Sequence, residues 1–290
     1  MTEQDPSART AFVLAGGGSL GAVEVGMLAA LVEHGVDADF VVGASAGAIN
    51  GAYFAGRPDT DGVAELAEIW RGLSRRDIFP ISLVRGMLGL LSVGNHVAGS
   101  GRLRRLLAEN LAYENLEEAR LPVHVVATDL VTGMEVVLSS GSAVDAVLPS
   151  ASIPAIFPPV RMKGRYLADG GIANNTPISV ACDLGATRAI VLPTGFACHI
   201  DAPPADTIGM ALHAMSLLIA RQLVVDLDRF AERIALHVAP PLCPLATSPM
   251  DFSRADELIE RGADATRRWL DDGGLECSVI PPELRGHGHG

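Results

Sequence analysis

The four cysteines, Cys182, Cys198, Cys243 and Cys277, stand far apart, with no C-x-x-C pair and no histidine at zinc spacing. They read as reduced core or surface thiols, and neither a metal nor another cofactor is expected. Basic charge is scarce as well. A net charge of −12 argues against nucleic acid, whose phosphates call for clustered cations. No run of about 18 uncharged apolar residues suggests a membrane span. Met1 to Thr10 is polar, with Glu3 and Asp5, and lacks the basic start and apolar core of a secretory signal. The expectation is a soluble protein that stays in the cytoplasm. No linker rich in Pro, Gly or Ser divides the chain, and no internal repeat is visible. A flexible segment over 1–10, one domain over 11–280 and a low-complexity tail over 281–290 are expected; the closing Gly286-His287-Gly288-His289-Gly290 is too short for a metal tract.

What is present is apolar: 49% of the 290 residues are hydrophobic and 19% charged, enough for a sizeable core. Ala11 to Ala15 is a short apolar run ending at three glycines, as a buried strand would. From Ser19 the apolar residues recur at helical spacing until Gly35. A second run, Phe40 to Gly43, leads into a small-residue helix ending near Ala55. Strand, helix, strand, helix implies two parallel strands whose carboxyl ends share one sheet edge, where open α/β sheets bind ligands. Further strands are expected at Pro122 to Leu130, Met134 to Leu138, Thr187 to Leu192 and Ile234 to Val238. Arg165 to Ala168 leads to Asp169-Gly170-Gly171. Helices are expected near Val63 to Leu73, Leu103 to Leu111, Ser142 to Leu148, Pro177 to Leu184, Ala211 to Phe230 and Arg254 to Leu270. Ile153 to Val160 is too proline-rich for either element. The alternation specifies a layered α/β fold with a mainly parallel sheet.

Three glycine motifs punctuate that pattern. Gly16-Gly17-Gly18-Ser19-Leu20-Gly21 follows the first strand, Gly43-Ala44-Ser45-Ala46-Gly47 the second, and Asp169-Gly170-Gly171 comes mid-chain. G-x-S-x-G between strand and helix is a nucleophile elbow, a turn so tight that the flanking Gly43 and Gly47 avoid side-chain clashes and leave the serine hydroxyl exposed. A serine that merely caps the helix is the plainer alternative. Gly16, Gly18 and Gly21 also satisfy G-x-G-x-x-G. A dinucleotide site, however, expects an acid at the end of the second strand, where this chain offers Ser45, so no nucleotide is expected. The other reading gives the loop an oxyanion role, with backbone amides of Gly16 to Gly18, above all Gly17 and Gly18, aimed at the carbonyl oxygen that Ser45 attacks.

Serine needs a base. His199, His213 and His237 follow Asp169 and could formally complete a Ser, Asp, His order, but none sits in a glycine-rich loop after a clear strand. Asp169 is the stronger candidate, because the glycines that follow let its turn approach another loop closely. An ordinary aspartate, with a pKa of about 3.9, is a poor base, so the role demands partial desolvation. An Asp-Gly turn without chemistry is the alternative.

Taken together and in this order, the motifs resemble those of the patatin-like phospholipase family. Gly16 to Gly21 is similar to its oxyanion motif, Gly43 to Gly47 to its nucleophile motif, and Asp169 to Gly171 to its D-G-G/A motif. Ala127-Thr128-Asp129 with Thr132-Gly133, Ile153-Pro154 with Phe157-Pro158-Pro159, and Asn174-Asn175-Thr176-Pro177 resemble further blocks. The resemblance implies a three-layer α/β/α fold, a Ser45–Asp169 dyad and hydrolysis of lipid acyl esters without metal or cofactor. It departs at Leu20, where family members commonly carry Arg or Lys, and at Pro149, where small residues are usual.

Ile81 to Val93 is apolar apart from Arg85, and between Arg71 and Arg105 seven arginines meet a single acid, Asp77. Two readings stand: a lid or interfacial patch making reversible contact with a membrane surface, or an ordinary core helix. Three functional classes follow for the whole chain: a lipid acyl hydrolase, an acyltransferase working through the same acyl-enzyme, and a non-catalytic lipid-binding protein. Asn174 and Asn175 are expected to satisfy backbone groups in a turn.

Overall fold

A computed structural model of the chain describes residues 9–74, 78, 99–154, 156–195, 202–205, 207–276, 281 and 284. The apolar stretch over 81–93 lies outside the described residues, as do Arg75, Arg76, Asp77, Cys198, His199, Cys277 and the closing Gly-His segment.

The sheet is built from β1 (Thr10–Leu14), β2 (Phe40–Ala44), β3 (Val123–Asp129), β4 (Glu135–Leu138), β5 (Val160–Met162), β6 (Arg165–Ala168), β7 (Arg188–Leu192) and β8 (Ala235–Val238). Its order is β5-β6-β3-β2-β1-β7-β8, with β4 also paired to β3. The strands β3, β2, β1, β7 and β8 run parallel, while β4 and β6 are antiparallel to β3 and β5 is antiparallel to β6. The mainly parallel sheet read from the sequence is therefore present. β5 was not foreseen: its register with β6 forms across the turn at Lys163-Gly164, after the prolines that obscured it.

Alternation along the central strands sorts side chains to two faces. Phe12 and Leu14 of β1 enter one core, Ala11 and Val13 the other. The first core is covered by α1 (Gly21–Glu33), α2 (Ala46–Gly56), α3 (Thr60–Gly72), α4 (Gly101–Asn110), α5 (Ala143–Ser150) and α9 (Ala255–Asp271). α6 (Gly171–Asn174) is a single turn after Asp169. α7 (Ile178–Asp183) and α8 (Thr207–Phe230) cover the second core, through Ile178, Ala181, Leu223, Leu227 and Phe230 among others. Helices on both faces of one sheet make the three-layer α/β/α arrangement.

Two elements depart from expectation. Pro149 lies inside the last turn of α5, where its carbonyl accepts from Ser152 N at 3.0 Å; it ends a helix. The 24-residue α8 is long and apolar enough over Gly209–Phe230 to cross a membrane by length and composition, yet only 11% of its most apolar stretch is buried. Arg221 and Asp226 interrupt its run of uncharged residues.

Candidate active site

Strand register brings the motifs together. Leu14 of β1 pairs with Gly43 of β2 and Leu192 of β7, so the chain leaves all three strands on one edge. Ala44 pairs with Val126 of β3, and Thr128 of β3 pairs with Ala168 of the antiparallel β6. β4 pairs along the other edge of β3, so Ser45 and Asp169 emerge on the same side of that strand, both level with Ala127. Thr128 Oγ1 donates to the Asp169 carbonyl at 2.7 Å, drawing the aspartate turn over the strand end.

The elbow at Ser45 is strained, with φ 53° and ψ −122°, a conformation that a serine adopts only where its surroundings enforce it. A Cβ on Gly43 would stand 2.3 Å from the Gly47 carbonyl oxygen, and one on Gly47 would stand 2.5 Å from Leu14. Those clashes explain the G-x-S-x-G spacing. Ser45 N donates to Ser150 Oγ at 2.9 Å, and Ser150 Oγ donates to Val126 O at 2.6 Å, which pins the turn to α5 and β3. The serine does not cap α2: its side chain makes no capping bond. Instead Ser45 Oγ donates to Asp169 Oδ2 at 2.7 Å, with no residue between them.

Asp169 is 3% exposed. Its Oδ1 accepts from Gly171 N at 2.8 Å, its own amide donates to Ser152 O, and Gly170 N donates to Ser150 O. A Cβ on Gly170 would stand 2.1 Å from Val126 O, and one on Gly171 would stand 2.6 Å from Asn175 Oδ1, so this close packing also needs both glycines. Burial pushes the Asp169 carboxyl up to about 6, against the opposing pull of the Ser45 hydroxyl and the Gly171 amide. The desolvation that the sequence demanded of this residue is present.

The glycine loop splits into an anchor and a free pair. Gly16 N donates to Asn175 O at 3.0 Å, and Gly16 O accepts from Asn175 Nδ2 at 3.1 Å and Thr194 Oγ1 at 2.9 Å. The expectation that Gly16 would offer its amide to an oxyanion is thereby corrected, since that donor is already spent. Among the described residues the amides of Gly17 and Gly18 carry no hydrogen bond. Gly18 has φ +59°, and a Cβ there would stand 2.5 Å from Pro249 O. Ser19 clamps the loop from outside, its amide donating to Pro249 O at 2.8 Å and its Oγ to Ser248 O at 3.0 Å. Gly21 lies against Ala46 and Trp70.

Several partners were not visible in the sequence. Ser150, Thr194 and Pro249 act across long separations. Beneath the loop, Asn50 Nδ2 donates to Gly21 O and to Glu24 Oε2, while Trp70 Nε1 donates to Asn50 Oδ1. Glu24 is fully buried, and burial pushes its carboxyl well above the usual range. Asn175 binds backbone as expected, whereas Asn174 donates to the Glu135 and Ser179 side chains. Neither described histidine after Asp169 takes part in the pair: His213 lies in α8 and His237 in β8, its ring against the Gly274 carbonyl.

Ser45 stands where two pockets meet. One, of about 730 Å³ with its open mouth included, is walled by apolar side chains such as Trp70, Leu103, Leu107, Ile153 and Phe252. The other, of about 600 Å³, holds Gly17, Gly18, Asp169 and Asn175 and is closed by Leu212, Met215 and Ile219 of α8. Among the described residues no cluster of His, Cys, Asp and Glu could hold a metal.

A family model described as patatin-like phospholipase matches residues 12–182. An uncharacterized NTE family protein of Mycobacterium tuberculosis is 35% identical over 174 residues, which are 59% of this chain and 27% of that protein. Patatin-like phospholipase domain-containing protein 7 of Mus musculus is 28% identical over 298 residues, 92% of this chain and 21% of the mouse protein. The chain thus spans about a quarter or less of the length of these two relatives. Full-length ExoU of Pseudomonas aeruginosa, solved with SpcU, shares the fold at 16% identity with a TM-score of 0.50, over 94% of this chain and 54% of that one. The matched region runs from β1 through α7 and contains all three glycine motifs, so the chain belongs to the patatin-like phospholipase family.

Proposed function

We propose that this protein hydrolyses acyl esters of lipids, with Ser45 as nucleophile and Asp169 as the base. The observation that carries the reading is the 2.7 Å hydrogen bond from Ser45 Oγ to a carboxylate buried at the mouth of an apolar pocket. Ser45 Oγ bonds to the ester carbonyl carbon as its proton passes to Asp169 Oδ2. The carbonyl oxygen takes up the negative charge and meets the Gly17 and Gly18 amides, each worth about 3 kcal/mol to such a transition state. The bond to the leaving alcohol breaks, and the proton held by Asp169 goes to that alcohol. Water then gives a proton to Asp169 and attacks the acyl-enzyme; the bond to Oγ breaks, the proton returns to Ser45 and a fatty acid leaves.

The apolar walls beside Trp70 and Phe252 suit the acyl chain, and the pocket beside Asn175 suits the leaving alcohol. Ser45→Ala and Asp169→Asn are each expected to lower kcat/KM on p-nitrophenyl acyl esters by at least about a thousandfold, the scale seen when a catalytic pair is broken. Variants that keep the wild-type rate would overturn the assignment.

A further inference from the structure

One side of α8 walls the Ser45 site, and its opposite side is apolar and uncovered. Met210, Leu217, Leu218 and Val225 are 42%, 46%, 70% and 52% exposed, with Ala211 and Ala214 exposed among them. Removing side chains of this kind from water is favourable. A second exposed apolar group lies nearby. Leu130, Val131 and Met134 form the turn after β3, on the sheet edge that carries Ser45, and Ile172 follows the Asp169 turn; all four are exposed. Glu135 at the start of β4 lies within electrostatic range of Asp226, towards the carboxyl end of α8.

We propose that this apolar rim docks the protein on a phospholipid bilayer, with α8 lying in the plane of the interface. The inference rests on the lipid-ester reading of the Ser45 site and adds where the substrate is collected. Contact is peripheral, not spanning, because Leu223, Leu227 and Phe230 of the same helix are buried in the core. At about 1.5 Å per residue, the 24 residues of α8 lie along about 36 Å of surface. Arg221 sits on the exposed face, and among the described residues no hydrogen bond or ion pair engages it. At a bilayer surface it meets lipid phosphate. A second copy is the weaker occupant: no acid falls between 210 and 225, so self-packing would bury Arg221 without a carboxylate from the same stretch. Leu212, Met215 and Ile219 on the inner face continue the apolar surface from the rim to the nucleophile.

The test is flotation with vesicles of phosphatidylcholine and phosphatidylglycerol, using Ser45→Ala protein so that the lipid stays intact. The parent is expected to float with the vesicles. Leu217→Asp with Leu218→Asp is expected to weaken binding about tenfold or more, since more than 1.4 kcal/mol of apolar contact is lost. Leu218→Trp, which keeps the helix apolar, is expected to tighten it. Placed in the Ser45 background of the natural sequence, both sets are expected to leave hydrolysis of soluble p-nitrophenyl butyrate unchanged. A parent that stays with the soluble fraction, variants that bind as the parent does, or a dimer that the aspartates turn into a monomer would overturn the docking surface. Vesicle binding that follows the prediction in a protein without esterase activity would instead overturn the reading of the Ser45 site.

Discussion

Asp169 shows how one residue trades stability for chemistry. Its carboxyl is raised to about 6 by burial, so it binds a proton in the folded chain at a pH where the unfolded chain, at 3.8, has released it. Stability contributed by the protonated form is complete below about 3.8 and is lost as pH rises to about 6, after which the buried charge is a standing cost. Asp169→Asn removes that cost. It is expected to raise resistance to urea at pH 8 by about 2 kcal/mol, with the gain shrinking towards pH 4; a variant less stable than its parent at pH 8 would contradict this. The same shift sets the reaction's acid limb, because only the ionised carboxylate accepts the serine proton. A plot of kcat/KM against pH is expected to rise through about 6 and level off above it. A limb near 4, or none, would show that the base is another group.

At the scale of elements, the turns that end β1 and β2 are held by neighbours drawn from across the chain. Gly18 stands in the left-handed region with Pro249 O against it, and Gly17 faces Thr194 just as closely. Gly18→Ala is therefore expected to tilt the loop's free amides and cost about a hundredfold or more in kcat with a smaller change in KM, measured on soluble esters. An unchanged kcat would remove the loop from the chemistry. These elements differ in how far the sequence revealed them. The G-x-S-x-G turn was legible because its residues sit together in one short segment: Gly43 would clash with Gly47 and Ala48 close by, although Gly47 would clash with Leu14 and Ala15 at the end of β1. The Asp169 turn was legible from its adjacent glycines, of which Gly171 meets nearby Asn175 while Gly170 meets Val126 of β3. Ser150, which holds the Ser45 amide, acts from 105 residues away, and Thr194, which holds the Gly16 carbonyl, from 178. No local pattern marks such a partner, and so Gly16 was expected to donate to substrate when its amide is in fact bound to Asn175. β5 was obscured by the prolines that precede it, and α8 is legible as a helix but not as an exposed one, because burial depends on what packs around it.

For the molecule as a whole, parallel order and register do the positioning. β1, β2 and β7 end together, and β6 returns antiparallel to β3, so a hydroxyl and a carboxyl 124 positions apart meet at one sheet edge. That edge is also where the two pockets open and where the exposed apolar side chains gather. A chain of net charge −12 repels anionic surfaces overall, so the apolar rim and its arginine supply the local attraction that docking needs. The central claim is that Ser45 becomes acylated because Asp169 takes its proton. The most direct measurement is mass spectrometry of the protein quenched in acid during turnover of a p-nitrophenyl acyl ester, with the modified peptide mapped. An acyl group on Ser45 in the parent, and none on the same timescale in Asp169→Asn, is the predicted result; acylation at another residue, or equal acylation in both proteins, would contradict it.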